Sequence, residues 1–408
     1  MNTYKNYGGG NKKRRKRTVK GHYDDIFLQS TTPVSIQKIS AQIARDIETK
    51  QKSKSYSPSL NKKLVEFKLI PRNQLFSCNI EKASKGEEPL EISIPYYNLK
   101  DPETVVSTGK PDIFGALNFC FKYDTDEAKE VLLHNLKANR NIDPSQIITP
   151  IQSDSNCWFN TFFVTLFISD KGRKFFHFFR ELMIKGVNIY GEEIPQDIKD
   201  SFALLNFAIE QYLTGSHLAY EFDTNVIIKS VYEKIPDNSH IFNVGEYGSP
   251  EEYYFGIMNY LDNYSMHILY LKSCDLGDKL DWKTYIKKYI NEISQFANKG
   301  ENYLPNIVIF TIFKQHANLM KKAIRFTINK AVYELDSASI SDTLNEHFCA
   351  TITCNGEEMV YDGASFHRLV PMKWKHNINR NVYWSFDTKK EKWNFTKCGQ
   401  VLTYYRVK

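Results

Sequence analysis

Apolar positions recur at helical spacing at Ile36, Ile39, Ile43 and Ile47, after Pro33, and predict a short amphipathic helix that needs a partner surface. Val65–Leu69 and Leu90–Ile94 read as strands, and Asp126–Leu136 reads as a helix. From about residue 148 the pattern sharpens. Polar turn-formers give way at Cys157 to an apolar run, so a helix should open at or near that residue. Ser249 as N-cap, Pro250 at the first helical position and Glu252 completing a capping box predict a second, well-capped helix. Leu304–Gln315 is a buried-strand pattern that includes Pro305 near its start. Phe348, Ala350 and Ile352 alternate with Cys349, Thr351 and Thr353, so His347 begins a strand. Asn355-Gly356 then signals a two-residue hairpin, and Glu358-Met359-Val360-Tyr361 forms the return strand ending at Asp362.

Composition sets the class. Hydrophobic residues at 42% and charged residues at 25% over 408 positions describe a globular chain with room for one large domain and an extension, or for two ordinary domains. The net charge of +7 has a local source. Residues 1–20 hold eight Lys or Arg and no acid, and the rest carries 46 basic against 47 acidic residues. The body is therefore not a polyanion-binding surface on charge grounds. Lys12–Arg17, after Gly8-Gly9-Gly10, suits nuclear import or nucleic-acid contact, or is simply a solvated tail. Residues 50–63 look like a linker.

Seven cysteines, an odd number with no CxxC pair, exclude a disulfide framework and a zinc knuckle. No cofactor or metal is expected. A reducing, intracellular setting follows, cytoplasmic or nuclear, and the apolar runs Phe162–Ile168 and Ile307–Phe313 are too short to span a bilayer. The richness in Lys, Asn, Ile and Tyr hints at an AT-rich genome, such as a viral one.

The candidate chemistry is a thiol and an imidazole. A sulfur at a helix N-terminus is favoured as thiolate, the attacking species, and Gln152 five residues upstream can donate its amide to an oxyanion beside the backbone N–H of Cys157. A cysteine before an apolar helix is more often a buried structural residue, so its neighbours decide. Across a two-residue turn, residues whose numbers sum to about 711 face each other. His347 and Asp362 are near that sum, which places a carboxylate beside the imidazole in a Cys-His-Asp arrangement. His367 and His316 are the other candidates, but neither heads such a hairpin.

These segments resemble the boxes of the ubiquitin-specific proteases. Gln152 matches the family's oxyanion-hole amide position, usually Asn; Cys157 is followed by an aromatic, with Asn160 three residues on. Tyr333-Glu334-Leu335 and the hairpin from His347 to Asp362 resemble the histidine box. Tyr247–Leu261 falls where the family carries its Gln-Asp-Ala-His-Glu-Phe helix, Leu304–Gln315 is similar to its Leu-Pro strand, and Val401–Tyr405 to its closing strand. Asp154, three residues before the cysteine, is similar instead to the ovarian-tumour deubiquitinases. One departure stands out: only 42 residues separate Leu261 from Leu304, where the family inserts zinc-bearing fingers.

The resemblance implies an α+β, papain-like cysteine peptidase over residues 148–408, with a helical thumb to about residue 262, an antiparallel β palm over 300–408 and the active site between them. Residues 1–63 would be a basic tail and 64–147 an extension of unknown role. It implies hydrolysis after the C-terminal glycine of ubiquitin or a ubiquitin-like modifier, with Cys157, His347, Asp362 and Gln152 as catalytic residues. The alternatives are a peptidase of the same fold acting on another protein such as a viral polyprotein, an inactive ubiquitin-binding pseudo-enzyme, and a nucleic-acid-associated structural protein acting through the tail.

Overall fold

The computed structural model describes residues 75–95, 110–111, 117–138, 142–188, 191–235, 241–261, 268–276, 281–296, 304–386 and 391–408. The basic tail, the Ile36–Ile47 helix and the Val65–Leu69 strand expected from sequence lie outside the described residues. Within them the protein is mixed α and β.

The described residues open with β1 (Phe76–Ser77), a short helix α1 (Ile80–Ser84), β2 (Glu91–Pro95), β3 (Lys110–Pro111) and β4 (Leu117–Lys122). These strands form an antiparallel sheet in the order β1-β2-β4-β3. Cys78 and Cys120 are joined by a disulfide across it. The cysteine count and spacing excluded a disulfide framework, and this single bond escaped that reading: the spacing of 42 residues carries no local signal, and the sheet register alone brings the two together.

A run of helices follows: α2 (Asp126–Ala138), α3 (Cys157–Phe163, continued by a π turn over Val164–Ile168), α4 (Asp170–Phe175), α5 (His177–Lys185), α6 (Gln196–Thr214), α7 (Asn225–Lys234) and α8 (Pro250–Tyr260). Gly215 ends α6 in the left-handed region (φ 66°). A Cβ there would lie 2.1 Å from the Gln146 carbonyl oxygen, so glycine is required on both counts. Glu252 in α8, expected to complete a capping box, has its Oε1 on Lys272 Nζ at 3.3 Å.

The second sheet is built from β5 (Ile268–Lys272), then helix α9 (Trp282–Phe296), then β6 (Ile307–Ile312), β7 (Arg325–Ile328), β8 (Ala331–Ser341), β9 (Phe348–Cys354), β10 (Glu357–Tyr361), β11 (Val370–Pro371), the short α10 (Trp374–Asn377) and β12 (Gln400–Arg406). Its order is β11-β10-β9-β8-β12-β6-β5, with β7 on the free part of β8. All pairs are antiparallel except β5 with β6. This sheet is thus mostly antiparallel, but the stretch between Leu261 and Leu304 contributes a parallel β5-α9-β6 unit. Parallel neighbours require a crossover, and α9 supplies it.

Both faces of this sheet are covered, which explains the unbroken apolar run of β6. Ile307 and Ile309 face the helices α3 to α8, while Val308, Phe310 and Ile312 face α9 and the C-terminal loops. The first core also takes in Leu75, Ile92 and Tyr123 from the N-terminal sheet. Arg180 of α5 reaches Asn206 Oδ1 at 2.8 Å and pairs with Glu210, and Asn206 donates to the Tyr123 hydroxyl at 2.8 Å. The N-terminal sheet and the helical layer therefore share one buried polar chain as well as one core.

Trp282 anchors the crossover. It is 5% exposed, with ring centroids 4.8 Å from Phe326 and 5.7 Å from Phe310. Trp282→Ala should lower unfolding stability by about 3–5 kcal/mol in urea titrations. An unchanged midpoint would mean that α9 is not docked on the sheet.

Candidate active site

Cys157 occupies the first position of α3, preceded by Asn156. The helix opens here because Asn156 is held outside it by a buried polar network. Asn156 Nδ2 donates to Thr224 Oγ1 (3.0 Å), and that hydroxyl donates to Asn160 Oδ1 (2.6 Å). Asn160 Nδ2 in turn reaches the Ile151 carbonyl at 3.2 Å. The approach loop is bound as tightly. Asn156 Oδ1 accepts from Ser153 N (3.1 Å), Ser153 Oγ donates to Asp223 (2.6 Å), and Asn225 Nδ2 donates to Ser153 O (3.1 Å). Asp154 turns the chain with a left-handed φ of 52°. The sulfur is only partly buried, so it can be reached.

The imidazole arrives from the palm. His347 is the residue just before β9, and Asp362 the residue just after β10. Asn355 (φ 51°) and Gly356 (φ 76°) make the tight turn with both φ positive, and the register pairs Glu357 with Cys354, the facing pair expected from that turn. His347 Nε2 lies 2.6 Å from Asp362 Oδ1. The carboxylate is fixed on its other sides by the Ala364 N–H (3.1 Å) and the Ser365 hydroxyl (2.5 Å). The loop before His347 is shaped by Asp342, whose Oδ1 accepts from Glu346 N (2.7 Å) and His347 N (3.2 Å). Trp393 covers the ring, with centroids 5.8 Å apart.

The Cys157 sulfur lies within interaction range of the same imidazole, acting on it as hydrogen-bond partner and as a charge. Burial pulls the His347 pKa down, but the hydrogen bonds and charges of Asp362 and Cys157 outweigh it and raise the pKa to about 10. Asp362 moves the opposite way. Burial would raise its pKa, yet the bond to His347, with its charge, Ser365 and the Ala364 N–H, holds it below the usual range. The pair is therefore an imidazolium beside a carboxylate.

The loop before α3 and the segment after β10 are pinned together at this point. Gln152 N donates to Gly363 O (2.9 Å), Thr149 N to His367 O (2.9 Å), and the Tyr361 hydroxyl to Pro150 O (2.7 Å). Gly363 has no room for a side chain: a Cβ would lie 2.4 Å from the Tyr361 hydroxyl and 3.0 Å from Pro150 O. Gln152 is thus on the cleft loop, with its Nε2 3.4 Å from the Asp154 carbonyl. Among the runners-up, His316 Nδ1 is on Ser273 Oγ at 2.9 Å, and the His367 ring packs 5.8 Å from Tyr220. Burial, followed by the Arg368 charge, lowers the His367 pKa.

Three contributors escaped the sequence reading. Asp342 and Trp393 act on His347 from parts of the chain brought in by the fold. Gly248 presses on Trp158, the residue after the cysteine; a Cβ there would lie 2.3 Å from the indole. Gly248 stands just before the Ser249-Pro250 helix start, and a glycine at that point was the one available signal.

No metal-ligating cluster appears near Cys157 among the described residues. No helix of the described residues is long and apolar enough to cross a membrane. No family model matches the chain, and no curated protein matches it. Solved structures similar to it include an essential yeast splicing factor (10% identity, TM-score 0.39, covering 71% of this chain and 82% of that one). They also include the SAGA DUB module Ubp8/Sgf11/Sus1/Sgf73 bound to monoubiquitin (9% identity, TM-score 0.38, 70% and 76% covered). The same module bound to ubiquitin aldehyde gives 10% identity and a TM-score of 0.37, with 71% and 79% covered. At TM-scores this low, neither fold nor function rests on these overlaps.

Proposed function

We propose that this chain is a thiol-dependent hydrolase of amide bonds, with Cys157 as nucleophile, His347 as its base and Asp362 as the group that orients and charges the imidazole. The observation that carries this reading is one ring with two partners: His347 Nε2 lies 2.6 Å from Asp362, and Cys157 acts on the same imidazole. In this reading His347, held by Asp362, already carries the proton drawn from the Cys157 thiol, and the sulfur attacks a carbonyl carbon. The tetrahedral oxyanion is met by the Cys157 N–H and the Gln152 amide, whose 3.4 Å bond to Asp154 O is long enough to exchange. His347 then returns the proton to the leaving amine, and water releases the acyl-enzyme. The catalytic unit would run over residues 148–408.

The sequence resemblance directs the substrate reading to the C-terminal glycine of ubiquitin or a similar modifier. A second reading, a peptidase of the same fold acting on another protein, is favoured by one observation. The stretch between Leu261 and Leu304 contributes β5 and α9 to the palm sheet, so fewer residues remain there to grip the body of a modifier.

The first test is incubation with ubiquitin bearing a C-terminal electrophile, beside a matching SUMO probe. The expected result is an adduct on ubiquitin alone, absent in Cys157→Ala. Gln152→Ala should lower the rate by about 10²–10³-fold. No adduct with either probe, alongside cleavage of an unrelated peptide that Cys157→Ala abolishes, would move the assignment to the second reading. Retained activity in Cys157→Ala would end both.

A second test uses pH. The folded His347 pKa near 10 exceeds its unfolded value of about 6.5, so the stability it contributes is fully present below pH ~6.5 and lost as pH rises through ~10. Asp362, held low, contributes above its unfolded pKa of about 3.9, and that share is lost as pH falls through its folded value. In urea titrations the gap between the parent and His347→Gln should therefore be wide at pH 6 and narrow at pH 10. A gap that widens with pH would rule out the charged pair.

A further inference from the structure

Three buried side chains beside the nucleophile close a ring of hydrogen bonds. Thr224 Oγ1 donates to Asn160 Oδ1 (2.6 Å), Asn160 Nδ2 donates to Asn156 Oδ1 (3.3 Å), and Asn156 Nδ2 donates back to Thr224 Oγ1 (3.0 Å). All three residues are buried. Thr224 stands immediately before α7, where a threonine hydroxyl ordinarily caps the first turn, yet its side chain makes no capping bond. The hydroxyl is committed to the ring instead, as donor and acceptor at once.

Two further bonds run from the ring to the loop that carries Gln152. Asn160 Nδ2 reaches the Ile151 carbonyl (3.2 Å), and Asn156 Oδ1 accepts from Ser153 N (3.1 Å). Those two groups belong to the peptide units on either side of Gln152. A third bond, Asn160 N to Asn156 O (3.0 Å), holds the peptide unit that supplies the Cys157 N–H. At the first position of α3 that N–H has no acceptor within the helix and can serve an oxyanion.

Both groups assigned to the oxyanion therefore hang from one ring, and the ring closes only through Thr224. We propose that Thr224 is a positioning residue that fixes the oxyanion site rather than the nucleophile. The inference rests on the peptidase reading and deepens it. Asp154, within the loop, holds a left-handed φ of 52°, a conformation that persists where its surroundings over-determine it. The neighbours of Thr224 add to that grip: Asp223 accepts from Ser153 Oγ (2.6 Å) and Asn225 Nδ2 donates to Ser153 O (3.1 Å). A hydroxyl is required at residue 224 because Asn156 needs an acceptor and Asn160 a donor at one point. Serine supplies both, and valine neither.

The full chain and its Thr224→Val variant would be compared in two reactions of Cys157. One is turnover of ubiquitin C-terminal amidocoumarin or, failing that, of labelled casein, which passes through an oxyanion. The other is alkylation by iodoacetamide, read at Cys157 by peptide mass spectrometry, which does not. In Thr224→Val, kcat should fall about 10–100-fold with KM within about twofold of the parent, while the alkylation rate matches the parent's. Thr224→Ser should bring kcat back to within about threefold of the parent, since it restores donor and acceptor. Where Thr224→Val does not fold, Thr224→Ala takes its place with the same expected values. An equal fall in both reactions would overturn the proposal, because the loss would then lie with the nucleophile or the fold. An unchanged kcat, or no recovery in Thr224→Ser, would overturn it too, while leaving the peptidase reading in place. A parent that turns over neither substrate would end this inference together with that reading.

Discussion

Everything at the cleft depends on a short stretch of backbone pairing between residues 149–152 and 363–367. Cys157 belongs to a helix and His347 to a sheet, so no local rule of either element brings them together. The bonds Thr149 N to His367 O, Gln152 N to Gly363 O and Tyr361 Oη to Pro150 O do so, on the segments that lead to Cys157 and follow Asp362. Because Gly363 admits no Cβ, the two segments approach as closely as backbone can. A cleft needs such a seam. Side chains held by loops alone would drift by more than the fraction of an ångström that nucleophile and base tolerate.

The far end of the same hairpin is fixed just as firmly. Asp170 opens α4 and accepts both turn N–H groups of Asn355 and Gly356, while Arg173 braces it. The β9–β10 pair is thus tethered to the helical layer at the turn, and at the open end through Tyr361 and Gly363. His347 and Asp362 sit at that open end, where the strands stop pairing and their side chains can turn toward the helices. A rigid lever held at both ends explains how two residues with a sequence separation of 15 keep a 2.6 Å contact in a partly open site.

What the sequence made legible follows from the range of the forces involved. The hairpin was readable because Asn-Gly dictates its turn and a two-residue turn dictates register, so the His347–Asp362 pairing is local arithmetic. The start of α3 at Cys157 and of α8 at Pro250 were readable from polar-to-apolar transitions. The strand Leu90–Ile94 and helix Asp126–Leu136 fell within one or two residues of their observed bounds. The parallel β5-α9-β6 unit was not readable. Ile268–Lys272 is a short alternating run like many surface strands, and only its pairing with β6 reveals its place. The Cys78–Cys120 bond was missed for the same reason, as were Asp342 and Trp393, whose relation to His347 exists only in three dimensions.

Burial alone would make the imidazole a poor cation, and Lys322 shows what happens without a counter-charge. It is 3% exposed, donates among the described residues to the Ala317 and Phe395 carbonyls at 2.6 Å, and burial pushes its pKa down to about 8. His347 is similarly buried yet moves the opposite way, to about 10. The difference is Asp362, which is itself kept charged by Ala364 and Ser365 as well as by the ring. A buried ion pair of this kind is a weak source of net stability, because desolvating both charges offsets most of their attraction. An apolar pair would pack as well. The retained charge therefore adds little net stability to the fold, and Asp362 is what sets it.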